Sequence, residues 1–506
     1  MNAAALIRAA PALPCAPWPR HVLEPADWAM MAEALATEPG LALLAMWADT
    51  AHVHALFADE PAGTFLPVSA PVAAGTYAAL SPHRPAASWF ERSIRDLWGH
   101  AAAGARDGRP WLDHGRWANH APLSLRPVPN AGPPEPPELL PVPQESLHQV
   151  PLGPVHGLGA VAGIAESGHF RLTVQGETVL RLESRLGYLH KGILALMRGK
   201  SPRAAARFAA RLAGDATVAH ATAFARAAEA ATATAAPPRA DALRAAMGEI
   251  ERIAGHLGDL GAIAAAAGPA ALAGRFGWRR EAVLRAAATA FGHRLMMDVV
   301  IPGGLAADLA PGGAEAILRA LAALTAELPE WLAIHDEEAS LAERMTGLGR
   351  VPPALARDFA AGGCIGRAAG RAADLRRHPG YPPYDTLNFE VPVLPEGDIA
   401  ARARLRLAEL RQSAALAAGL LRALPEGAVS VPLPPVSGEG FGWAEGGRGD
   451  VWHWLCLDGG MIAACFPRDP AWLHWPLLEI AACDGTLADL PLCVASFGCG
   501  VSGVDL

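Results

Sequence analysis

The chain has 506 residues, too long for one ordinary domain, and its 52% hydrophobic and 18% charged content fits a globular protein with a large core. A net charge of −8 leaves no basic field for nucleic acid or an anionic membrane surface. The seven cysteines form no C-x-x-C pair and read as reduced cytosolic thiols rather than a disulfide framework.

No basic segment followed by a clean apolar run opens the chain, so no signal peptide is expected. The longest weakly charged stretch, 260–274, is mostly Ala and Gly and too short to span a bilayer. Any membrane link is therefore expected to run through partner subunits.

Residues 1–126 read as an α/β domain. A helix is expected over 28–37 with Asp27 as N-cap, then strands over 41–47 and 52–57. In 87–100, Trp89, Phe90, Ile94, Leu97 and Trp98 recur at helical spacing with Glu91, Arg92, Arg95 and Asp96 between them. A proline-dense linker, 127–150, cannot be helical. The second domain, 151–506, opens with a β-hairpin: Phe170, Leu172 and Val174 alternate with polar residues, 175–177 turns, and 178–182 returns. The chain then becomes helical for roughly two hundred residues. Leu243, Met247, Ile250, Ala254, Leu257 and Gly261 form a core-facing stripe, with Glu249, Glu251 and Arg252 off it. Further helices are expected over 279–297 and 314–345, the latter kinked at Pro329. The last sixty or so residues look like short mixed segments rich in Trp and Gly. The fold class is α+β: an N-terminal α/β domain, then a mainly α-helical bundle led by a hairpin.

Residues 183–202 and 211–220 together resemble the region around the first metal-binding motif of [NiFe]-hydrogenase large subunits, R-x-C-G-x-C-x-x-x-H. Arg211, Gly214 and His220 keep the frame, while Ala213 and Ala216 stand at the cysteine positions. Alanine offers no donor to a metal that needs soft thiolates. At the other end, where hydrogenases carry D-P-C-x-x-C, the chain reads LPLCVASFGCGVSGVDL, and at best Cys499 survives. Residues 366–413 resemble a segment of membrane-bound group 4 hydrogenase large subunits through Arg367, Gly370, Asp374, Arg376, Tyr384, Asp385 and Gly397-Asp398. Forked Arg–carboxylate pairs there would hold an irregular loop. Residues 87–123 resemble the small hydrophilic subunit that pairs with the large quinone-site subunit of complex I, through Glu91-Arg92, 96–99 and 120–123.

The resemblance implies a metal-free, hydrogenase-like large subunit of a membrane-associated, complex I-like oxidoreductase, providing the electron-acceptor cavity; the alternative is a non-catalytic structural adaptor. Implied partners are iron–sulfur subunits, ferredoxin-like and small-hydrogenase-like, and membrane ion-translocating subunits. The chain itself is expected to bind no cofactor, with a quinone left open as acceptor. Its implied place is the cytoplasmic face of the inner membrane.

Three residues are candidates for chemistry. His156, in GPVHG, matches the histidine that approaches the quinone headgroup in complex I, and imidazole can donate a hydrogen bond and titrate near neutrality. His256 and Asp259 lie about one helical turn apart and can touch. Glu249 and Arg252 share that spacing and read as a helix-stabilising pair. His190 and Lys191 open a helix, facing either a cavity or solvent. No tyrosine lies between 189 and 380, so the His–Tyr quinone clamp implied by complex I is not reproduced. No G-x-G-x-x-G follows a strand, so no NAD site is expected in this chain.

Overall fold

The computed structural model describes residues 2–506 except 131, 133–137, 143, 145, 156, 157, 159, 162, 163 and 484, with the backbone alone at 160, 161, 164 and 165. The architecture is mixed α+β. Strands β1 (Ala12–Leu13), β2 (Arg20–Val22), β3 (Leu41–Ala48), β4 (His52–Asp59) and β5 (Thr64–Pro71) form one sheet in the order β1-β2-β5-β4-β3. The pairs β3–β4 and β4–β5 are antiparallel; β2–β5 is parallel. All eight residues of β3 are buried, because both faces of the sheet are covered. The first long helix, α1 (Pro25–Ala34), starts earlier than expected. Pro25 sits at the first turn and Glu24, with no side-chain cap bond, takes the N-cap place instead of Asp27.

Helix α2 (Ala87–Trp98) packs on β3. Its charges are not a solvated face. Glu91 Oε1 accepts the amides of Leu80 and Ser81 at 2.6 and 2.9 Å. Asp96 Oδ2 accepts those of Trp111 and Leu112 at 2.6 and 2.8 Å. Arg92 donates to the carbonyls of Arg109 and Pro110 at 2.8 and 2.7 Å. The helix organises the 100–123 loop by satisfying its buried backbone groups.

The proline-rich connection ends inside a strand. β6 (His148–Leu152) pairs with β7 (His169–Gln175), which pairs with β8 (Thr178–Arg185), so the expected hairpin is a three-stranded sheet. Helices α3 (Thr217–Ala231), α4 (Pro238–Ala267), α5 (Ala270–Phe291), α6 (Gly313–Glu337) and α7 (Ile399–Arg422) follow. Helix α4 lies against both α5 and α7. Helix α6 runs through Pro329 and stops at Glu338, nine residues beyond the expected kink, where the backbone turns extended (φ −78°, ψ 100°).

The Trp- and Gly-rich tail is more regular than expected. β9 (Gly438–Glu445), β10 (Asp450–Asp458) and β11 (Met461–Arg468) form an antiparallel meander, followed by α8 (Ala471–Ala481) and α9 (Leu490–Phe497). Strand β9 reads GEGFGWAE, with glycines at alternate positions. A Cβ on Gly438, Gly440 or Gly442 would come within 2.0, 2.5 and 2.1 Å of the α3 backbone. Side chains alternate across a strand, so these glycines clear one face and let α3 rest directly on it. No helix among the described residues is long and apolar enough to cross a membrane, and no disulfide forms.

Candidate functional site: an ionisable cavity in the helical core

A cavity of about 440 Å³ opens where α4, α5 and α9 meet the β9–β10 turn, within the range of small-molecule sites. Its wall is mainly apolar: Ile250, Ala254, Leu257, Leu284 and Val494. The polar groups converge from several elements, Arg280 of α5 and Arg294 after it among them. Glu251 and Asp259 come from α4, Asp215 from the loop before α3, and Arg448 from the β9–β10 turn.

The seating of α3 on β9 fixes this geometry. Arg448 forms an ion pair with Asp215 and donates to Asp259 Oδ1 at 3.0 Å. Asp259 Oδ2 accepts from Arg406 Nε of α7 at 3.2 Å. Glu251 accepts the amides of Val218 and Ala219, at 2.7 and 3.0 Å, through its two oxygens. It thereby caps α3, whose own first residues offer no capping side chain.

Three carboxyls meet here, and Arg280 and Arg294 share the lining with Arg448 while Arg406 holds Asp259 from behind. Burial pushes Glu251 up to about 8 and Asp215 to about 6. Burial works against Asp259 too, but the Arg448 and Arg406 guanidiniums outweigh it and hold that carboxyl below its usual range. At neutral pH Glu251 is thus the wall's protonated acid.

A second array lies behind the cavity, centred on Glu409. Arg367 reaches Glu409 Oε1 at 2.7 Å and Glu445 Oε1 at 2.8 Å. Arg376 forks Asp374 at 3.0 and 2.7 Å and reaches Glu249 at 2.9 Å, and Tyr384 donates to the same Glu249 oxygen at 2.6 Å. The loop over 366–385 is therefore pinned by forked pairs, as the sequence suggested, and the pinning residues Arg367, Asp374, Arg376 and Tyr384 are buried. Four carboxyls meet three guanidiniums, and burial pushes Glu445 up to about 7.

Of the candidate residues, Asp259 lines the cavity and His256 turns away from it. His256 Nε2 lies 2.7 Å from Glu409 Oε2, and burial holds its imidazole below the ordinary value. Three helical residues leave an offset of about 60°, enough to give the two side chains different partners rather than each other. His156 lies outside the described residues; Leu158, two residues on, lines the cavity. Glu249 and Arg252 are not a surface pair: both are buried, 3.4 Å apart, inside the Glu409 array. His190 and Lys191 face the chain's end, with His190 Nδ1 2.6 Å from the Asp505 carbonyl and Lys191 Nζ donating to Ser502 at 3.0 Å. The sequence reading missed Glu251, Asp215 and Arg448; the sole signal was an acid cluster on a helix with too few exposed positions.

The residues present do not fit a thiolate-held nickel ion. Ala213 and Ala216 pack in a small apolar cluster with Ala219, Ala223, Ala444 and Val451. Ala216 and Cys499 border a space of about 10 Å³, room for about one water. Burial pushes the Cys499 thiol far above its usual range. His220, the last position of the frame, is buried between Asp469 and His453, at 2.9 and 3.0 Å.

The mixed α+β architecture alone names no function, and the family comes from comparison with known proteins. Residues 275–437 match the family described as respiratory-chain NADH dehydrogenase, 49 Kd subunit. An NADH-quinone oxidoreductase subunit of Dehalococcoides mccartyi is 31% identical over 298 residues, covering 57% of this chain and 80% of the relative. Formate hydrogenlyase subunit 5 of Escherichia coli is 28% identical over 439 residues, 83% of this chain and 75% of the relative. Carbon monoxide-induced hydrogenase of Rhodospirillum rubrum is 28% identical over 355 residues, 69% and 97%. The chain belongs to the 49 Kd subunit family, which makes it complex I-like and hydrogenase-like.

Proposed function

We propose that this chain is a metal-free large subunit whose cavity receives the terminal electron acceptor of a membrane-associated oxidoreductase, with electrons delivered from an iron–sulfur partner. The observation that carries this reading is the cavity itself: open, largely apolar, and lined by both Glu251, whose carboxyl burial pushes up to about 8, and Arg448. An acceptor of the quinone class presents a planar apolar body and carbonyl oxygens. As electrons arrive, negative charge develops on an oxygen; Arg448 stabilises it and Glu251 hands it a proton. The cavity does not bind nickel in this reading, since the donor atoms are missing at 213 and 216. Docking to iron–sulfur and membrane ion-translocating subunits, on the cytoplasmic face of the membrane, is part of the proposal. Relatives whose names make them subunits of larger enzymes support it. The adaptor reading predicts a cavity filled by side chains, and 440 Å³ of space favours the acceptor.

The test uses the assembled complex. Ala254→Leu fills the cavity, and His156→Ala removes the motif histidine, two positions before the lining residue Leu158 in the sequence. Acceptor-dependent electron transfer should fall at least about tenfold in each while assembly persists. Unchanged turnover in both variants would leave the adaptor.

A further inference from the structure

We propose that Asp49, His52 and His54, at the β3–β4 turn, form a binding site for one divalent transition ion of the zinc class. The turn brings them together. Asp49 Oδ1 accepts the amides of Ala51 and His52 at 2.7 and 2.8 Å and closes the turn. Residues 52 and 54 are two apart on β4, so their side chains share a face. Asp49 Oδ2 lies 3.0 Å from His54 Nε2, and Oδ1 lies 3.4 Å from His52 Nδ1. All three donor atoms fall within 4.8 Å of one another. Tetrahedral zinc with bonds of about 2.0–2.1 Å places its donors roughly 3.3 Å apart, and each oxygen of Asp49 lies near that distance from one histidine nitrogen.

The surroundings suit an ion. The His54 ring is buried, stacked on Trp47 (centroids 5.3 Å apart, planes at 10°) and 5.1 Å from Trp454, so its donor is held in one orientation. Asp49 and His52 are partly exposed, at 23% and 36% of their side chains, which leaves an entry path and a place for water. His100 Nε2 stands at the rim, 2.9 Å from the Asp49 carbonyl. The nearby Arg20 charge is engaged by Glu439 at 2.7 and 2.9 Å.

One other group among the described residues has convergent donors: His256, Cys364 and Glu409. There Glu409 is already held by Arg367 at 2.7 Å and lies 3.6 Å from Arg252, and an ion would meet two guanidiniums in a sealed interior. At the β3–β4 turn Asp49 pairs with the two histidines, and the nearby Arg20 is held by Glu439.

The experiment titrates the full-length, chelator-stripped protein with Zn²⁺ against a chromogenic chelator, and with Co²⁺ read by visible absorption. One equivalent should bind, with tetrahedral cobalt bands. His52→Ala and Asp49→Asn, both at the exposed side of the site, should each weaken binding by at least about tenfold, and Cys364→Ala should change nothing. Absence of a bound equivalent in the wild type overturns the proposal. So does equal affinity in the two turn variants, or loss of binding in Cys364→Ala instead.

Discussion

Glu251 sits on α4 with its carboxyl in the cavity wall and both oxygens on the α3 amides. Its value rises from 4.5 in the open chain to about 8 when folded, because burial disfavours the charge. Between those values the unfolded chain releases a proton that the folded chain keeps. This contribution to stability is full below about pH 4.5 and is lost as pH climbs through about 8. Glu251→Gln cannot ionise, so its melting temperature relative to wild type should improve from pH 5 to pH 8.5; parallel profiles would show that the acid is already charged. The absence of thiolates at 213 and 216 leads to a second expectation. Elemental analysis of natively expressed protein carrying His52→Ala, which removes the turn site as a confounder, should find far less than one nickel per chain. A full equivalent would overturn the metal-free reading. These alanines were legible in the sequence because a missing donor atom needs no structure to be seen. Glu251 was not, because a charge off one apolar stripe looks solvated until neighbours cover the helix on its remaining sides.

The alternating glycines of β9 act at the scale of elements. Gly442 leaves no room for a Cβ, which would lie 2.1 Å from the Ala223 carbonyl oxygen and 2.2 Å from the Ala227 amide nitrogen. Both neighbours are helix backbone and cannot rotate aside. Gly442→Ala should therefore destabilise the fold by about 3 kcal/mol, the upper part of the overpacking range, and shift α3 with its Glu251 cap. Gly419→Ala on α7, with nothing near the new methyl, should be neutral or stabilising. Denaturant unfolding of the two variants checks the contrast; similar costs would show that α3 is free to move off the strand. The long helices were legible from their 3.6-residue periodicity. The meander was not, because glycine and tryptophan at alternate positions give no apolar alternation to read. The α6 break also escaped the sequence: Pro329 was accommodated, and the turn came at Glu338.

For the whole molecule, the proline-dense 127–150 stretch marks two domains in the sequence, and one apolar cluster runs through both, from Ala3 to Leu506. The N-terminal chain joins the C-terminal sheet directly. Ala16 donates to the Glu439 carbonyl at 3.0 Å and accepts from Phe441 at 2.8 Å, and Arg468 Nε donates to the Leu44 carbonyl at 2.8 Å. Trp18 packs 5.0 Å from Trp443, and Trp47 stacks on Phe466 at 5.7 Å with planes 8° apart. Pairings across more than four hundred residues leave no local signature, which is why the sequence showed the linker and not the contact it spans. Aromatic rings line this interface, and ion pairs cross it at Arg20–Glu439, Arg371–Glu60 and Arg109–Glu183. High salt screens exposed charges but not buried apolar surface. A protease site placed after Asn130 should therefore let the folded chain be cut without releasing its halves. The two fragments should coelute on size exclusion in 1 M salt, on the order of a 3 Å screening length, and separate only in denaturant. Separation in salt alone would mean that ion pairs, not the tryptophan-rich seam, hold the N-terminal sheet in place.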